Sequence, residues 1–393
     1  MAALYRRWWG AVLGYCFALG LGYLLLRLPW PPGWAQRWAI LAAAASGYQL
    51  WMLRRFLPLN HRDEETRLLP TLGLGSALTL IRGLAAGLLA GFIFLPRPTT
   101  GLLAWLPAGL FTIFSLLDYF DGYVARLTNH ATRLGQELDG LVDVAGVFIG
   151  TTLVVWYGQL PLWYLFLSAP HELFVFGLRR RQRRGKPVYP LPESNLRRLT
   201  AGFHMAFLSV MLWPIFSPPV TSLVGVIFAI PLIGSFGRDW LVVSGRVDEH
   251  STTYQRVRRK LKDLIFGWLP ALLRLVVVGM SFGYLLPLVR DHAHEWLQRL
   301  WPGSPMFRGE GNFLELLILL AAAGLAVGLA GRIAALGLLI PIALLILNEG
   351  LQLQNGALLT ATLVLLLAGS GQFSLWQPEE VFLSRRGGEK PPV

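Results

Sequence analysis

Four aspartates stand close together in one stretch of this chain, DYFDGYVARLTNHATRLGQELDGLVD, residues 118–143. Asp118, Asp121, Asp139 and Asp143 follow the spacing D-x2-D-G-x2-A-R-x8-G-x3-D-x3-D, with Gly122, Ala125, Arg126 and Gly135 at the other fixed positions. Long apolar runs flank the stretch. Carboxylates beside a membrane are costly and by default mark function. Clustered, they repel one another unless a cation neutralises them. An all-oxygen ligand set favours a hard ion, Mg2+, Mn2+ or Ca2+. Mg2+ takes few carboxylates and fills its remaining positions with substrate phosphates, so the set points to a phosphate-bearing substrate and a two-metal arrangement. Gly122 and Ala125 lack bulk and let a planar or phosphorylated ligand approach the backbone. Arg126 offers a planar fork of donors to phosphate oxygens.

These positions need helices to carry them. Asp118, Asp121, Gly122 and Ala125 fall at i, i+3, i+4 and i+7, one face of a helix. Gly135, Asp139 and Asp143 fall at i, i+4 and i+8, again one face. A short connection over about 127–134 joins the two helices. Packed antiparallel, they aim both carboxylate pairs into one cleft at the membrane surface. Aspartates in a solvated loop need no such phasing.

The rest of the chain supplies the membrane. Of 393 residues, 54% are hydrophobic and only 15% charged, so many helices have no polar face to turn to water. The composition predicts an all-α, polytopic integral membrane protein, because runs of about 20 apolar residues recur along it. Spans are expected near 9–28, 36–53, 74–95, 102–120, 136–156, 161–178, 197–215, 219–237 and 265–289, with three more inside 313–372. The opening MAALYRRWWGAVLGYCFALG has the build of a signal sequence without a small-residue cleavage site, and reads as a retained first helix. Cys16 is the single cysteine, which excludes an intrachain disulfide and a cysteine-based metal site.

Loop charge sets the expected orientation. With the N-terminus inside, twelve crossings put 27 of the 35 lysines and arginines on the inner side and 6 on the outer, leaving Arg82 and Arg274 within spans. The aspartate cleft then faces the cytoplasm. The net charge of +13 belongs to that face and to anionic lipid rather than to nucleic acid, since no aromatic-studded soluble module accompanies it. His292, His294 and Glu295 in RDHAHEW fall on the outer side, away from the aspartates, and read as a solvated loop.

The spaced string resembles, at all eight fixed positions, the signature of the CDP-alcohol phosphatidyltransferases. The resemblance covers about 71–246 and includes SALTLIRGLAAG, which is similar to the family's first core helix. It implies a core of six membrane helices, usually in a homodimer, with extra helices before it (1–70) and after it (247–393). The implied reaction moves a phosphatidyl group from a CDP-linked lipid donor such as CDP-diacylglycerol to an alcohol and releases CMP, in phospholipid synthesis. Carried over by position, Asp118, Asp121 and Asp139 are metal ligands for Mg2+ or Mn2+, two ions in all. Asp143 is the general base and a further metal contact. Gly122, Ala125, Arg126 and Gly135 line the CDP site.

The acceptor is read from the segments that follow. HELFVFGLRRRQRRGK, residues 171–186, resembles a region of phosphatidylglycerophosphate synthases, with His171 in place of Arg and Phe176 in place of Ser. PESNLRRLTAGFH resembles a second family region, with Arg197 or Arg198 in place of Lys. Arg179, Arg197 and Arg198 are therefore candidate acceptor contacts, and a phosphorylated acceptor, glycerol 3-phosphate first, suits such a basic rim. Rival readings are an inositol phosphate product, or a membrane scaffold or transporter that reuses the fold. GRIAALGLLIPIALLI and LLLAGSGQFSL near the end resemble the DoxX-like membrane family, which implies no defined chemistry.

Overall fold

The computed structural model describes residues 1–62, 67–99, 101–127, 132–168, 170–189, 195–248, 251–300 and 311–376, of which 119–127, 170–172, 195–201, 297–300 and 311–312 are described as backbone only. The architecture is all-α, with no strand among the described residues. Among the described residues, seven helices are long and apolar enough to cross a membrane: Ala2–Arg27, Gly73–Ala90, Gly101–Asp118, Arg133–Trp156, Val220–Val243, Thr252–Trp296 and Gly331–Glu349. Shorter apolar helices cover Gly202–Met211, Phe313–Val327 and Leu353–Ala368.

Two of the expected spans take another form. The run 36–53 lies in a 25-residue helix, Pro32–Phe56, that falls outside the seven because Arg37, Gln49, Arg54 and Arg55 dilute its apolar length. The run 161–178 is broken by Pro161 and Pro170 into a 3-10 turn, Leu162–Leu167, and a 14-residue helix, Pro170–Arg183, whose end is basic. Charge alternation alone had not seen these interruptions.

The chain divides into two compact units, Met1–Leu173 with His204–Ser222, and Phe174–Phe203 with Leu223 onward. The first holds helices α1 (Ala2–Arg27), α2 (Pro32–Phe56), α3 (Gly73–Ala90), α4 (Gly101–Leu127) and α5 (Arg133–Trp156). Helix α3 packs on α4, α5 and α2. It can do so because its sequence, GLGSALTLIRGLAAGLLA, buries small residues: Gly75, Ser76, Gly83, Ala85, Ala86, Gly87 and Ala90. Small side chains let membrane helices approach closely. Gly83 lies against the Gln49 side chain and Gly87 against the Ser46 hydroxyl, both from α2. The Tyr15 hydroxyl of α1 donates to the Leu80 carbonyl at 2.6 Å. The N-terminal extension thus holds the helix that begins the core through polar contacts that lipid cannot supply.

Helices α4 and α5 meet by a complementary device. Gly146 and Gly150 of α5 face the rings of Phe114 and Phe111, and a Cβ at either glycine would overlap the ring. The N-terminus of α5 is fixed by Thr132, whose hydroxyl accepts from Gly135 N–H at 3.1 Å. Arg133 N–H donates to the His61 carbonyl at 3.0 Å. That loop is itself ordered by the fully buried Asn60, whose amide donates to the Leu69 and Thr71 carbonyls at 2.9 and 2.8 Å.

In the second unit, Phe174 of α6 (Pro170–Arg183) packs edge-on against Phe236 and Trp240 of α8 (Val220–Val243). Helix α7 is Asn195–Met211 and is shared between the units. Helices α9 (Thr252–Asp263), α10 (Leu269–Met280) and α11 (Leu286–Leu300) run on as one long helix through two π-helical turns, Leu264–Trp268 and Ser281–Leu285. Helices α12 (Gly311–Val327), α13 (Gly331–Glu349) and α14 (Leu353–Ala368) follow. Arg332 donates to the Leu366 and Leu367 carbonyls at 2.6 and 2.9 Å, and Arg274 to the Ser370 carbonyl at 2.9 Å. These two buried arginines cap the carbonyl end of α14 and the turn after it.

Candidate active site

The helical phasing read from the sequence brings three carboxylates together. Oxygen atoms of Asp118, at the end of the apolar part of α4, and of Asp139 and Asp143, one turn apart on α5, all lie within 4.8 Å of one another. Their side chains are 29%, 39% and 42% exposed, so the cluster is open on one side. It is the one grouping of three or more metal-ligating side chains among the described residues.

At its centre is a group that spacing had not placed there. The Arg82 guanidinium of α3 is fully buried. It reaches Asp139 Oδ1 at 2.6 Å, Asp118 Oδ1 at 2.7 Å and Asp143 Oδ1. The ring of Phe114 forms its floor, 5.0 Å from the guanidinium carbon. Removing a cation from water costs several kcal/mol, and three carboxylates on one guanidinium offset it. The signal in the sequence was the price of Arg82 itself. A lone arginine in the middle of SALTLIRGLAAG requires partners, and the aspartates were its available anions.

Phe111, Phe114 and Asp118 fall at i, i+3 and i+7 on α4. Gly135, Asp139, Asp143, Gly146 and Gly150 form one face of α5. The face is apolar at one end, where rings meet glycines, and anionic at the other, where Arg82 sits. Gly135 stands in the first turn of α5, with the Ser76 hydroxyl 3.2 Å from where a Cβ would be. A larger residue there would press on α3, so this glycine serves packing as well as any ligand.

The remaining expected site residues are not brought to the cluster by described atoms. The backbone of Asp121, Gly122, Ala125 and Arg126 continues α4, but their side chains lie outside the described residues. The same holds for the side chains of Arg197 and Arg198 on α7. Arg179 is exposed on α6, in the second unit. His292 stacks on Trp296 with ring centres 5.9 Å apart, and its Nδ1 lies 3.2 Å from the Leu288 carbonyl, a setting that packing explains.

Residues 72–234 match the family model described as CDP-alcohol phosphatidyltransferase. This stretch is similar to that family. It begins just ahead of α3 and ends within α8, and so contains the whole aspartate cluster and Arg82. The chain is similar to a CDP-diacylglycerol--glycerol-3-phosphate 3-phosphatidyltransferase of Cereibacter sphaeroides, with 35% identity over 106 residues, 26% of this chain and 47% of the relative. A protein of the same name from Bacillus subtilis is 37% identical over 70 residues, 18% of this chain and 36% of the relative. A cardiolipin synthase (CMP-forming) of Streptomyces coelicolor is 34% identical over 95 residues, 23% of this chain and 41% of the relative. The chain thus spans about half the length, or less, of these relatives. No solved structure matches it.

The donor set fits a hard divalent ion. All three ligands are carboxylates, their oxygens converge, and each keeps an exposed part from which further coordination can be completed. The guanidinium already drawn among them marks the same demand for positive charge.

Proposed function

We propose that this protein transfers a phosphatidyl group from CDP-diacylglycerol to an alcohol, with glycerol 3-phosphate as the acceptor, and releases CMP. The observation that carries this reading is the convergence of Asp118, Asp139 and Asp143 inside the stretch that matches the family. The relatives' names support the donor and the acceptor. A scaffold that reused the fold would have no need to hold three carboxylates within 4.8 Å.

Asp118, Asp139 and Asp143, with Asp121, would hold Mg2+ or Mn2+, two ions in this reading. The metal supplies Lewis-acid neutralisation of the donor diphosphate and of the departing CMP. The chain's own residues do the rest. Asp143 keeps 42% of its side chain exposed, so an incoming alcohol can reach it. One of its oxygens accepts from Arg82. The other is left to take the proton from the acceptor hydroxyl as the oxygen attacks the lipid-side phosphorus. Arg82 keeps the carboxylate turned for that task. Gly122, Ala125, Arg126 and Gly135 line the CDP site, and Arg179, Arg197 and Arg198 meet the acceptor phosphate.

The protein sits in the cell membrane with the N-terminus and the cleft on the cytoplasmic side, as a homodimer. Residues 1–70 brace the transferase segment 71–246, and 247–393 are an appended membrane unit. In a CMP-release assay with CDP-diacylglycerol and Mg2+, Asp143→Asn is expected to lose about 10²–10⁴-fold in rate, the usual worth of a general base. Asp139→Asn should lose comparable activity through the metal. Either variant turning over like the wild type would refute the assignment.

A further inference from the structure

We infer that Arg82 is a built-in counter-ion of the aspartate cluster, one that holds metal affinity down until an anionic diphosphate arrives. The inference rests on reading the cluster as a metal and CDP-donor site, and it adds a residue and a binding order to that reading.

The geometry is specific. Arg82 is fully buried, so its stem cannot swing the guanidinium into water to make room. It contacts one oxygen each of Asp118, Asp139 and Asp143, which come from two different helices. Phe114 closes the space on its other side. A guanidinium does not lose its proton in a protein, so its charge remains when a metal enters. Three carboxylates against one guanidinium leave two negative charges, which a single divalent ion balances. Even with Asp121 added, two divalent ions exceed the remaining negative charge by one. Positive charge in excess beside a buried cation is unfavourable where the dielectric is low. A diphosphate supplies the missing negative charge. Metal and donor must therefore favour each other's binding, and by linkage each raises the other's affinity by the same factor.

The reading makes a prediction with a sign that a purely structural ion pair would not give. A structural role predicts that removing Arg82 disorders the carboxylates and weakens metal binding. A counter-ion role predicts that it strengthens binding. The test is Mn2+ titration of the purified full chain, followed by electron paramagnetic resonance, without any acceptor or lipid donor. It is run with and without CDP, after subtraction of Mn2+ held by free CDP. In the wild type, CDP should tighten Mn2+ binding by about tenfold, within the usual range of couplings between sites. Arg82→Gln should bind Mn2+ about tenfold more tightly than the wild type in the absence of CDP and gain less from CDP. Arg82→Lys, which keeps the charge, should stay near the wild type. Equal or weaker Mn2+ binding by a folded Arg82→Gln overturns the inference while leaving the metal site standing. Should that variant not fold, the wild-type titration decides, and no gain from CDP overturns it. Absence of Mn2+ binding in the wild type under both conditions overturns the metal-site reading and this inference together.

Discussion

Arg82 is wholly buried, yet its three partners are each 29–42% exposed, so the cluster is anchored from below and open above. The aspartates were legible in the sequence because helical spacing alone puts Asp139 and Asp143 on one face and Asp118 on another. Arg82 was not, because its partners Asp118, Asp139 and Asp143 lie 36, 57 and 61 residues further along, and a single arginine in an apolar run fits a snorkelling side chain as well as a buried one. Which helix slides between which is a packing outcome that spacing does not encode. Arg82→Met leaves three carboxylates facing one another and should destabilise the protein by about 3–5 kcal/mol, the cost of breaking a buried ion pair from one side. Thermal unfolding in detergent checks this. Mg2+ should restore part of the loss, and an unchanged midpoint would contradict the role.

The site exists because α3, α4 and α5 can approach closely, and glycines at particular positions permit it. Gly146→Leu forces a side chain into the Phe114 ring, the floor under Arg82, and should cost about 1–3 kcal/mol by overpacking. Gly140, on the same helix, has no atom within 4 Å of where a Cβ would stand. Gly140→Ala should therefore be neutral or stabilise by up to about 1 kcal/mol through helix propensity. The unfolding midpoint should fall in Gly146→Leu and hold or rise in Gly140→Ala, and equal shifts would mean that the glycine face does not set the packing. Thr132→Ala removes the cap that starts α5 just before Gly135 and should cost about 1 kcal/mol. The apolar faces of α4 and α5 were legible as helices from composition. The pairing of rings with glycines was not, since it depends on which turn of one helix meets which turn of the other.

For the whole molecule, hydropathy and loop charge predicted an all-α membrane protein, and that is the architecture found. The number of crossings was less legible, because Pro161 and Pro170 divide a run that a charge count treats as continuous. The buried arginines of the second unit follow the same logic as Arg82 with different partners. Arg332 and Arg274 donate to backbone carbonyls, which suits a structural cap. Arg332→Leu should destabilise by about 1.5–3 kcal/mol, the worth of a charged hydrogen bond, and thermal unfolding of the full chain reads it.

The central claim is tested most directly by supplying the purified full chain with CDP-diacylglycerol, Mg2+ and glycerol 3-phosphate, and following both CMP and the lipid formed. The account predicts equal amounts of CMP and phosphatidylglycerol phosphate, both abolished by chelating the metal and by Asp139→Asn. Failure of every alcohol tested to release CMP, or release that persists in Asp139→Asn, would contradict it.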